Sequence, residues 1–170
     1  GGMSMEQLFD YQVQQSLIES KGFDLLVMGR PEGPGCYCAA NNIIRKYTDK
    51  LSETYPYVVI DNEAGMEHLS RSTTHKVNLL LIVSDPSVKG IHTAKRIHDL
   101  VDELRLEIDR SVLIINRISG EKGKDLINLA GEKGLAIAGL VPQDEAIFNL
   151  DLQGKSVFQL PNDSIALNAV

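Results

Sequence analysis

The two cysteines of this chain, Cys36 and Cys38, stand one residue apart in a glycine- and proline-rich stretch, residues 29–38. Thiolates at this spacing can bind a metal ion such as zinc or nickel. A tetrahedral site needs four ligands, and a second copy of the loop across a two-fold axis would supply the other two. The pair therefore predicts a metal site shared by a homodimer. Two free thiols, or a disulfide between close neighbours, are the alternatives that the spacing leaves open.

Polar residues at the ends of apolar runs form a second group that could bind a ligand. Asp61 and Asn116 each directly follow such a run. An aspartate in this place can hold the water shell of magnesium beside a nucleotide, and an asparagine amide matches the N6/N7 edge of adenine. Gly65 allows a backbone amide to approach a phosphate closely, and Pro142 is placed to form a wall beside a base. For each of these residues, an ordinary turn or loop position is the alternative.

Residues 119–125 look like a phosphate-binding loop but do not match the Gly-x4-Gly-Lys-Ser/Thr pattern. Asp125 stands where the pattern requires a hydroxyl, and Glu121 adds a second carboxylate that would repel a phosphate. We interpret this segment as the start of a helix, with Ser119 as a candidate cap.

Histidine chemistry is not indicated by the sequence. The histidines share no His-x3-His spacing, and no nucleophile motif accompanies them; they are His68, His75, His92 and His98. His92 and His98 are expected on the solvated face of a helix. We therefore predict no catalytic side chain.

The elements that must position these residues alternate along the chain. Apolar runs predict strands over residues 23–28, 57–60, 79–83, 112–115 and 135–141. Helical periodicity is found over residues 5–18, 40–51, 91–104 and 122–133. The alternation predicts an α/β fold with a mostly parallel sheet flanked by helices, in which ligands bind at the carboxyl ends of the strands.

Length and charge narrow the class of protein. The 170 residues predict one domain, with a start at residues 1–4 that resembles a tag remnant, an N-terminal helix within 5–21 and a core over 22–170. A net charge of −6 argues against a nucleic-acid partner. The cysteine usage and the lack of a leader pattern predict the cytoplasm, and no apolar run is long enough to span a membrane.

Four segments, taken in order, resemble the carbon monoxide dehydrogenase maturation ATPases: residues 28–38, 59–68, 84–87 and 115–117. These are nickel-insertion factors of the MinD-like P-loop group, related to nitrogenase iron protein. The resemblance extends from about residue 23 to the C-terminus. It implies a P-loop NTPase fold and an ATP-dependent dimer that holds one metal ion between paired Cys-x-Cys motifs.

Roles for individual residues follow from this resemblance. Cys36 and Cys38 would be the metal ligands. Asp61 would be the magnesium-side aspartate, Gly65 the phosphate-sensing glycine of the second switch, and Asn116 the adenine contact. Pro142 would lie beside the base.

The sequence departs from the family pattern in one large feature. Family members begin with a strand and a Lys-Gly-Gly-x-Gly-Lys-Thr loop, followed by a switch aspartate, and these 170 residues contain none of them. The resemblance thus implies a fold without its first strands, with the gap between the strand that ends at Asp61 and strand 79–83. ATP and magnesium are expected only if a phosphate loop is supplied elsewhere, and hydrolysis by this chain alone is not expected.

Together these observations favour a metallochaperone-type protein, with carbon monoxide dehydrogenase or a related nickel enzyme as its client. The alternative is a nucleotide-free metal-binding or dimerisation module derived from the same family. A membrane or filament partner of the MinD type is less well supported, because residues 164–170 lack a basic amphipathic face.

Overall fold

The computed structural model describes residues 2, 5–27, 46–48, 50–51, 53–62, 76–104, 106–120 and 123–170. Its contacts divide the chain into two compact units, Gly1–Ala40 and Asn41–Val170. Within the described residues, no helix combines the length and apolar character needed to cross a membrane.

The first unit contains one helix and a short hairpin. Helix α1 (Met5–Ser16) begins where the periodicity predicts and ends earlier, and strand β1 (Leu17–Glu19) follows it directly. Strand β2 (Asp24–Leu26) pairs with β1 in antiparallel orientation, and Gly22, with a φ of 97°, forms the turn between them. The prediction of a parallel core strand over residues 23–28 is therefore wrong for the described part of that run. The hairpin partner is only a turn away, and this local pairing replaces the parallel one.

A second prediction, the strand over residues 57–60, is also not confirmed. The segment belongs to no strand of the described residues, and Tyr57 and Val59 are 86% and 92% exposed. An apolar run becomes a strand only when another strand pairs with it, and none of the described strands does so. The predicted helix over residues 40–51 is described in part, since residues 46–48, 50–51 and 53–54 are helical.

The second unit contains the parallel sheet that the alternation of apolar runs and helical stretches predicts. Its three strands are β3 (Lys76–Ser84), β4 (Glu107–Ile118) and β5 (Ile137–Pro142), in the order β3-β4-β5 and all parallel. Helix α2 (Val88–Glu103) connects β3 to β4, and helix α3 (Gly123–Glu132) connects β4 to β5. The α/β fold class is confirmed.

The core of this unit lies between one face of the sheet and helices α2 and α3. Residues that alternate along β3 and β4 point to this face, as the period of a strand requires. The buried cluster consists of Ile82, Ile91, Ala94, Leu113, Ile115, Leu126, Ala130 and Leu135. On the opposite face of β3, Leu79, Leu81 and Val83 are 47%, 50% and 60% exposed.

The chain continues past the sheet through helix α4 (Glu145–Leu152) and two short 3-10 helices, Val157–Gln159 and Leu167–Ala169. Ser164 and Ala166, between these two 3-10 helices, are buried. This C-terminal segment is therefore packed against the rest of the second unit at those two residues.

Candidate functional site

The carboxyl ends of the three parallel strands bring several predicted site residues to one edge. Asn116 on β4 pairs with Val141 on β5, and Ile118 pairs with Pro142. Asn116 and Pro142 therefore lie on neighbouring strands at the same end of the sheet, as expected for parallel strands. No strand of the described residues carries Asp61, which is exposed directly after the predicted strand 57–60.

Asn116 and Arg117 form a bulge at the end of β4. The register shifts between Asn116 and Ile118, and Arg117 adopts a φ of 59°. The Asn116 side-chain oxygen accepts a hydrogen bond from the Arg117 backbone N–H at 2.9 Å. This contact fixes the side-chain oxygen near the backbone, while the amide NH2 group retains its donor capacity for a ligand.

The loop between β3 and α2 is held by a chain of short hydrogen bonds. Ser87 is the N-cap of α2, and its hydroxyl accepts from the Gly90 N–H at 2.9 Å. The same hydroxyl donates to the Asp85 carboxylate at 2.6 Å, and the Ser84 hydroxyl donates to the Asp85 backbone carbonyl at 3.0 Å. This loop therefore caps the first turn of α2.

Gly90 lies unusually close to this loop. A Cβ atom at Gly90 would lie 2.2 Å from the Asp85 carboxylate oxygen, 2.4 Å from the Ser84 hydroxyl oxygen and 2.9 Å from the Asp85 backbone oxygen. None of these separations is tolerated by non-bonded atoms, so a glycine is required in the first turn of α2.

Asp144, two residues after Pro142, joins two parts of the chain. One carboxylate oxygen accepts from the Ala146 N–H at 2.8 Å and caps α4. The other accepts from the Ser164 hydroxyl at 2.6 Å and from the Ala166 N–H at 3.2 Å. The Ser164 hydroxyl, followed by these backbone N–H groups, lowers the pKa of Asp144 below its ordinary value.

A cavity of about 390 Å³ opens between β3 and α2, next to this edge of the sheet. Its lining is apolar at Ile82, Val83, Ala94 and Ile97. Ser84, Ser87 and Thr93 are among its polar lining residues. Every buried side-chain nitrogen or oxygen of the described residues has a hydrogen-bond partner. No orphaned polar atom therefore marks a particular ligand in this cavity.

The structure does not describe the proposed metal ligands or the proposed phosphate-sensing glycine. Cys36, Cys38 and Gly65 lie outside the described residues, as do His68 and His75. Among the described residues there is no cluster of three or more His, Cys, Asp or Glu side chains able to hold a metal ion.

The two remaining histidines differ from each other. His92 is exposed on α2, as predicted, whereas His98 is half-buried and its Nδ1 lies 3.4 Å from the Ser111 hydroxyl on β4. The prediction of a solvated position for His98 is wrong, because the last turns of α2 pack over the start of β4. The prediction that Ser119 caps the following helix is also wrong, because α3 begins only at Gly123.

Three residues at this edge of the sheet have structural roles that were not predicted from the sequence: Asp144, Gly90 and Arg117. The capping role of Asp144 has a local signal, an aspartate directly before a helical stretch. A glycine inside a helical pattern, such as Gly90, indicates either a loss of helix stability or a close approach of another part of the chain. The left-handed conformation of Arg117 has no local signal in the sequence, because an arginine side chain disfavours a positive φ.

Comparison with known proteins identifies relatives over most of the chain. An uncharacterised ATP-binding protein of Methanocaldococcus jannaschii is 40% identical over 163 residues, which are 96% of this chain and 64% of that protein. The carbon monoxide dehydrogenase accessory protein of Rhodospirillum rubrum is 31% identical over 150 residues, which are 86% of this chain and 56% of that protein. The chain thus spans only about three-fifths of the length of these relatives. No protein-family model matches it.

Solved structures with the same fold come from the MinD and ParA ATPases. A ParA-family ATPase from Chlorobium tepidum superposes with a TM-score of 0.65 and 20% sequence identity. The match covers 97% of this chain and 70% of the ParA-family chain. At this identity the likeness supports the fold alone.

Proposed function

We propose that this chain is a member of the MinD/ParA-like family of ATP-binding NTPases, to which its relatives point, and that it is the metal-handling part of an ATP-dependent metallochaperone. In this proposal, Cys36 and Cys38 of two protomers bind one nickel or zinc ion as cargo. The client is a nickel enzyme such as carbon monoxide dehydrogenase, and the protein works in the cytoplasm.

The observation that carries the nucleotide side of the proposal is the placement of Asn116 and Pro142. They lie on neighbouring parallel strands at the carboxyl edge of the sheet, where α/β proteins bind their ligands. The amide of Asn116 has a free donor group for the N7/N6 edge of a purine, and Pro142 offers an apolar surface beside it. Asp61 and Gly65 are the proposed magnesium and phosphate contacts.

The metal side of the proposal rests on the donor set and on one relative. Two thiolates from each of two chains make a four-sulfur site that suits zinc or nickel. The relative at 31% identity is by name an accessory protein of carbon monoxide dehydrogenase, which supports a client enzyme of that kind.

The test is anaerobic native mass spectrometry of the reduced protein with limiting nickel or zinc. We expect a dimer that holds one ion per pair of chains, and we expect Cys36→Ser and Cys38→Ser to lose both the ion and the dimer. His92→Ser, which removes an exposed potential ligand on α2, serves as the matched control and should retain both. A metal-free monomer that does not respond to either cysteine substitution would contradict the proposal.

A second candidate function is a nucleotide-free metal-binding or dimerisation module. It is favoured by one observation, the absence of a Gly-x4-Gly-Lys-Ser/Thr loop from these 170 residues. Both candidates predict the shared thiolate site, and they differ in whether nucleotide changes the affinity for metal. Metal titrations with and without ATP, in the presence of the polypeptide that supplies the phosphate loop, distinguish them.

A further inference from the structure

Asp144 attaches the last residues of the chain to the carboxyl edge of the sheet. Its carboxylate accepts hydrogen bonds from the Ser164 hydroxyl at 2.6 Å and from the Ala166 N–H at 3.2 Å, across 20 and 22 positions of sequence. Within the described part of the chain, every hydrogen bond from residues 160–170 to the chain before residue 150 ends on Asp144. The polar connection between these two parts of the protein therefore depends on one side chain.

Residues 162–168, called here the C-terminal turn, are folded around Ser164. The Ser164 hydroxyl, which donates to Asp144, also accepts from the Leu167 N–H at 3.1 Å. The Ser164 carbonyl accepts from the Asn168 backbone N–H at 3.1 Å and from the Asn168 side-chain NH2 group at 2.9 Å. The turn thus has its own internal hydrogen bonds, and the bond from Ser164 to Asp144 sets its position on the sheet.

On its other side, Asp144 is joined to the residues proposed to contact a purine. Pro142 ends β5 two positions before Asp144, and the intervening Gln143 donates its N–H to the Ile118 carbonyl at 2.9 Å. Ile118 ends β4 directly after the bulge that begins at Asn116. Short contacts therefore run without a break from the end of β4 through Asp144 to the C-terminal turn, so a shift of Asp144 moves the proposed purine site as well.

We propose that Asp144 is a positioning residue for the purine site at Asn116 and Pro142, and that its carboxylate couples the C-terminal turn to the occupancy of that site. This role rests on the nucleotide side of the proposed function, which supplies the purine. A purine that orders Pro142 and Gln143 holds Asp144 in place and so stabilises the docked turn. Because coupling between two sites is reciprocal, the docked turn raises the affinity for the purine by the same factor.

A carboxylate suits this role because every group that contacts it is a donor. One oxygen accepts from the Ala146 N–H and caps α4, and the other accepts from Ser164 and Ala166. An asparagine has a single oxygen, so its NH2 group would face an N–H donor at one of the two ends. Asp144→Asn therefore either uncaps α4 or releases the C-terminal turn, while the size of the side chain stays nearly the same.

The experiment titrates an isotope-labelled sample of the full chain with adenosine and follows the backbone amides by NMR. Adenosine carries the base without phosphates, so a phosphate loop plays no part, and NMR detects binding too weak for calorimetry. We expect shifts at Asn116 and Arg117, beside the base, and at Ser164 and Ala166 in the C-terminal turn. Hydrogen exchange of the Ala166 amide should slow by about twofold or more when adenosine is bound.

Substitutions connect the coupling to the named hydrogen bond. Ser164→Ala removes the hydroxyl that donates to Asp144, so it should weaken adenosine binding by about fivefold and speed the exchange of the Ala166 amide. Ser156→Ala removes a serine that caps the 3-10 helix Val157–Gln159 and should change neither quantity. Circular dichroism checks that each variant is folded. A purely structural role for Asp144 would not make adenosine slow the exchange of Ala166 in the wild type, and this measurement needs no variant.

Three results would overturn the proposal. One is a set of shifts at Asn116 and Arg117 with no change at Ser164 and Ala166, which would leave the purine site in place and separate it from the C-terminal turn. Another is an equal affinity for adenosine in the wild type and in Ser164→Ala. The third is the absence of any shift up to the solubility limit of adenosine, which would also overturn the nucleotide side of the proposed function.

Discussion

Arg117 holds a backbone conformation that its residue type disfavours, next to a residue proposed to contact adenine. Its φ is 59°, and its N–H donates to the side-chain oxygen of Asn116. A left-handed conformation costs an L-residue about 1–2 kcal/mol, and such strain is typical of functional sites. Because the bulge fixes the orientation of Asn116, the strain is consistent with a binding role for this corner of the sheet.

The first prediction concerns this strain. Arg117→Gly should raise the free energy of unfolding by about 0.5–1 kcal/mol, because glycine adopts positive φ without the steric cost but loses more entropy on folding. Urea denaturation measures the change. Arg110→Gly, at an exposed position inside β4, is the control and should lower the free energy of unfolding by about 0.5–1 kcal/mol. A loss of stability in both variants would contradict the idea that Arg117 is strained.

The second prediction concerns the pH dependence that Asp144 introduces. Its pKa in the folded protein is below the ordinary value of 3.8, chiefly because Ser164 donates a hydrogen bond to the carboxylate. The carboxylate therefore stabilises the fold above the ordinary pKa, and this stabilisation is lost as the pH falls through the folded-state pKa. Ser164→Ala should raise the pKa of Asp144 towards its ordinary value, as measured by carbon-13 NMR titration of the carboxyl group.

A matched serine serves as the control for this titration. Ser156 caps the 3-10 helix Val157–Gln159 through the Phe158 N–H, and Ser156→Ala should leave the pKa of Asp144 unchanged. An identical pKa of Asp144 in the wild type and in Ser164→Ala would show that this hydrogen bond does not lower the pKa.

At the scale of elements, helix α2 depends on the loop that precedes it. Ser87 caps the helix, and its hydroxyl donates a hydrogen bond to the Asp85 carboxylate. Gly90 has no side chain that would collide with Asp85. The N-terminus of α2, the end of β3 and the cavity between them are thus built as one unit. A change in the first turn of α2 should therefore act on the shape of the β3 edge as well as on the helix.

The third prediction compares two helical glycines. Alanine is normally preferred to glycine inside a helix by about 1 kcal/mol. Gly90→Ala should reverse this preference and lower the free energy of unfolding by about 1–3 kcal/mol, because the new Cβ would overlap atoms of Asp85. Gly131→Ala in α3 has no atom within 4 Å of the new Cβ and should stabilise the protein by about 0.5–1 kcal/mol. Thermal or urea unfolding of the two variants gives the signs, and a stabilising Gly90→Ala would contradict the packing described for this loop.

At the scale of the whole molecule, the chain has a parallel sheet whose carboxyl edge carries the proposed base contacts, but its 170 residues contain no phosphate-loop motif. In the proposed site, Asn116 and Pro142 would contact the base, whereas the triphosphate needs backbone amides and a lysine from a glycine-rich loop. Among the described strands, β3 has a neighbour, β4, on one side only. Nucleotide binding is therefore expected to need a phosphate loop that these 170 residues do not contain.

The fourth prediction follows from this dependence. The 170 residues alone should bind ATP weakly or not at all in calorimetry, because their sequence contains no glycine-rich phosphate loop. The ATP-binding relative from M. jannaschii provides the positive control under the same conditions. Saturable binding at micromolar ATP by this chain would contradict the prediction and would place phosphate contacts elsewhere in it.

Much of the second unit was determined by the sequence. The runs 79–83, 112–115 and 135–141 became β3, β4 and β5, and the helical periodicities became α2 and α3. Their alternation also placed Asn116 and Pro142 at one edge, because parallel strands have their carboxyl ends on the same side. These features depend on short-range periodicity, which a sequence carries within a few residues.

Only the tertiary structure decided the features that need a distant or a specific partner. Residues 57–60 have the composition of a strand but no strand pairs with them among those described, and β2 pairs with its neighbour β1 instead of joining the parallel sheet. The bond from Ser164 to Asp144 joins residues twenty positions apart, and the requirement for glycine at position 90 comes from the folded position of Asp85. Strand pairing and close contact are properties of two segments brought together, so the sequence of either segment alone does not determine them.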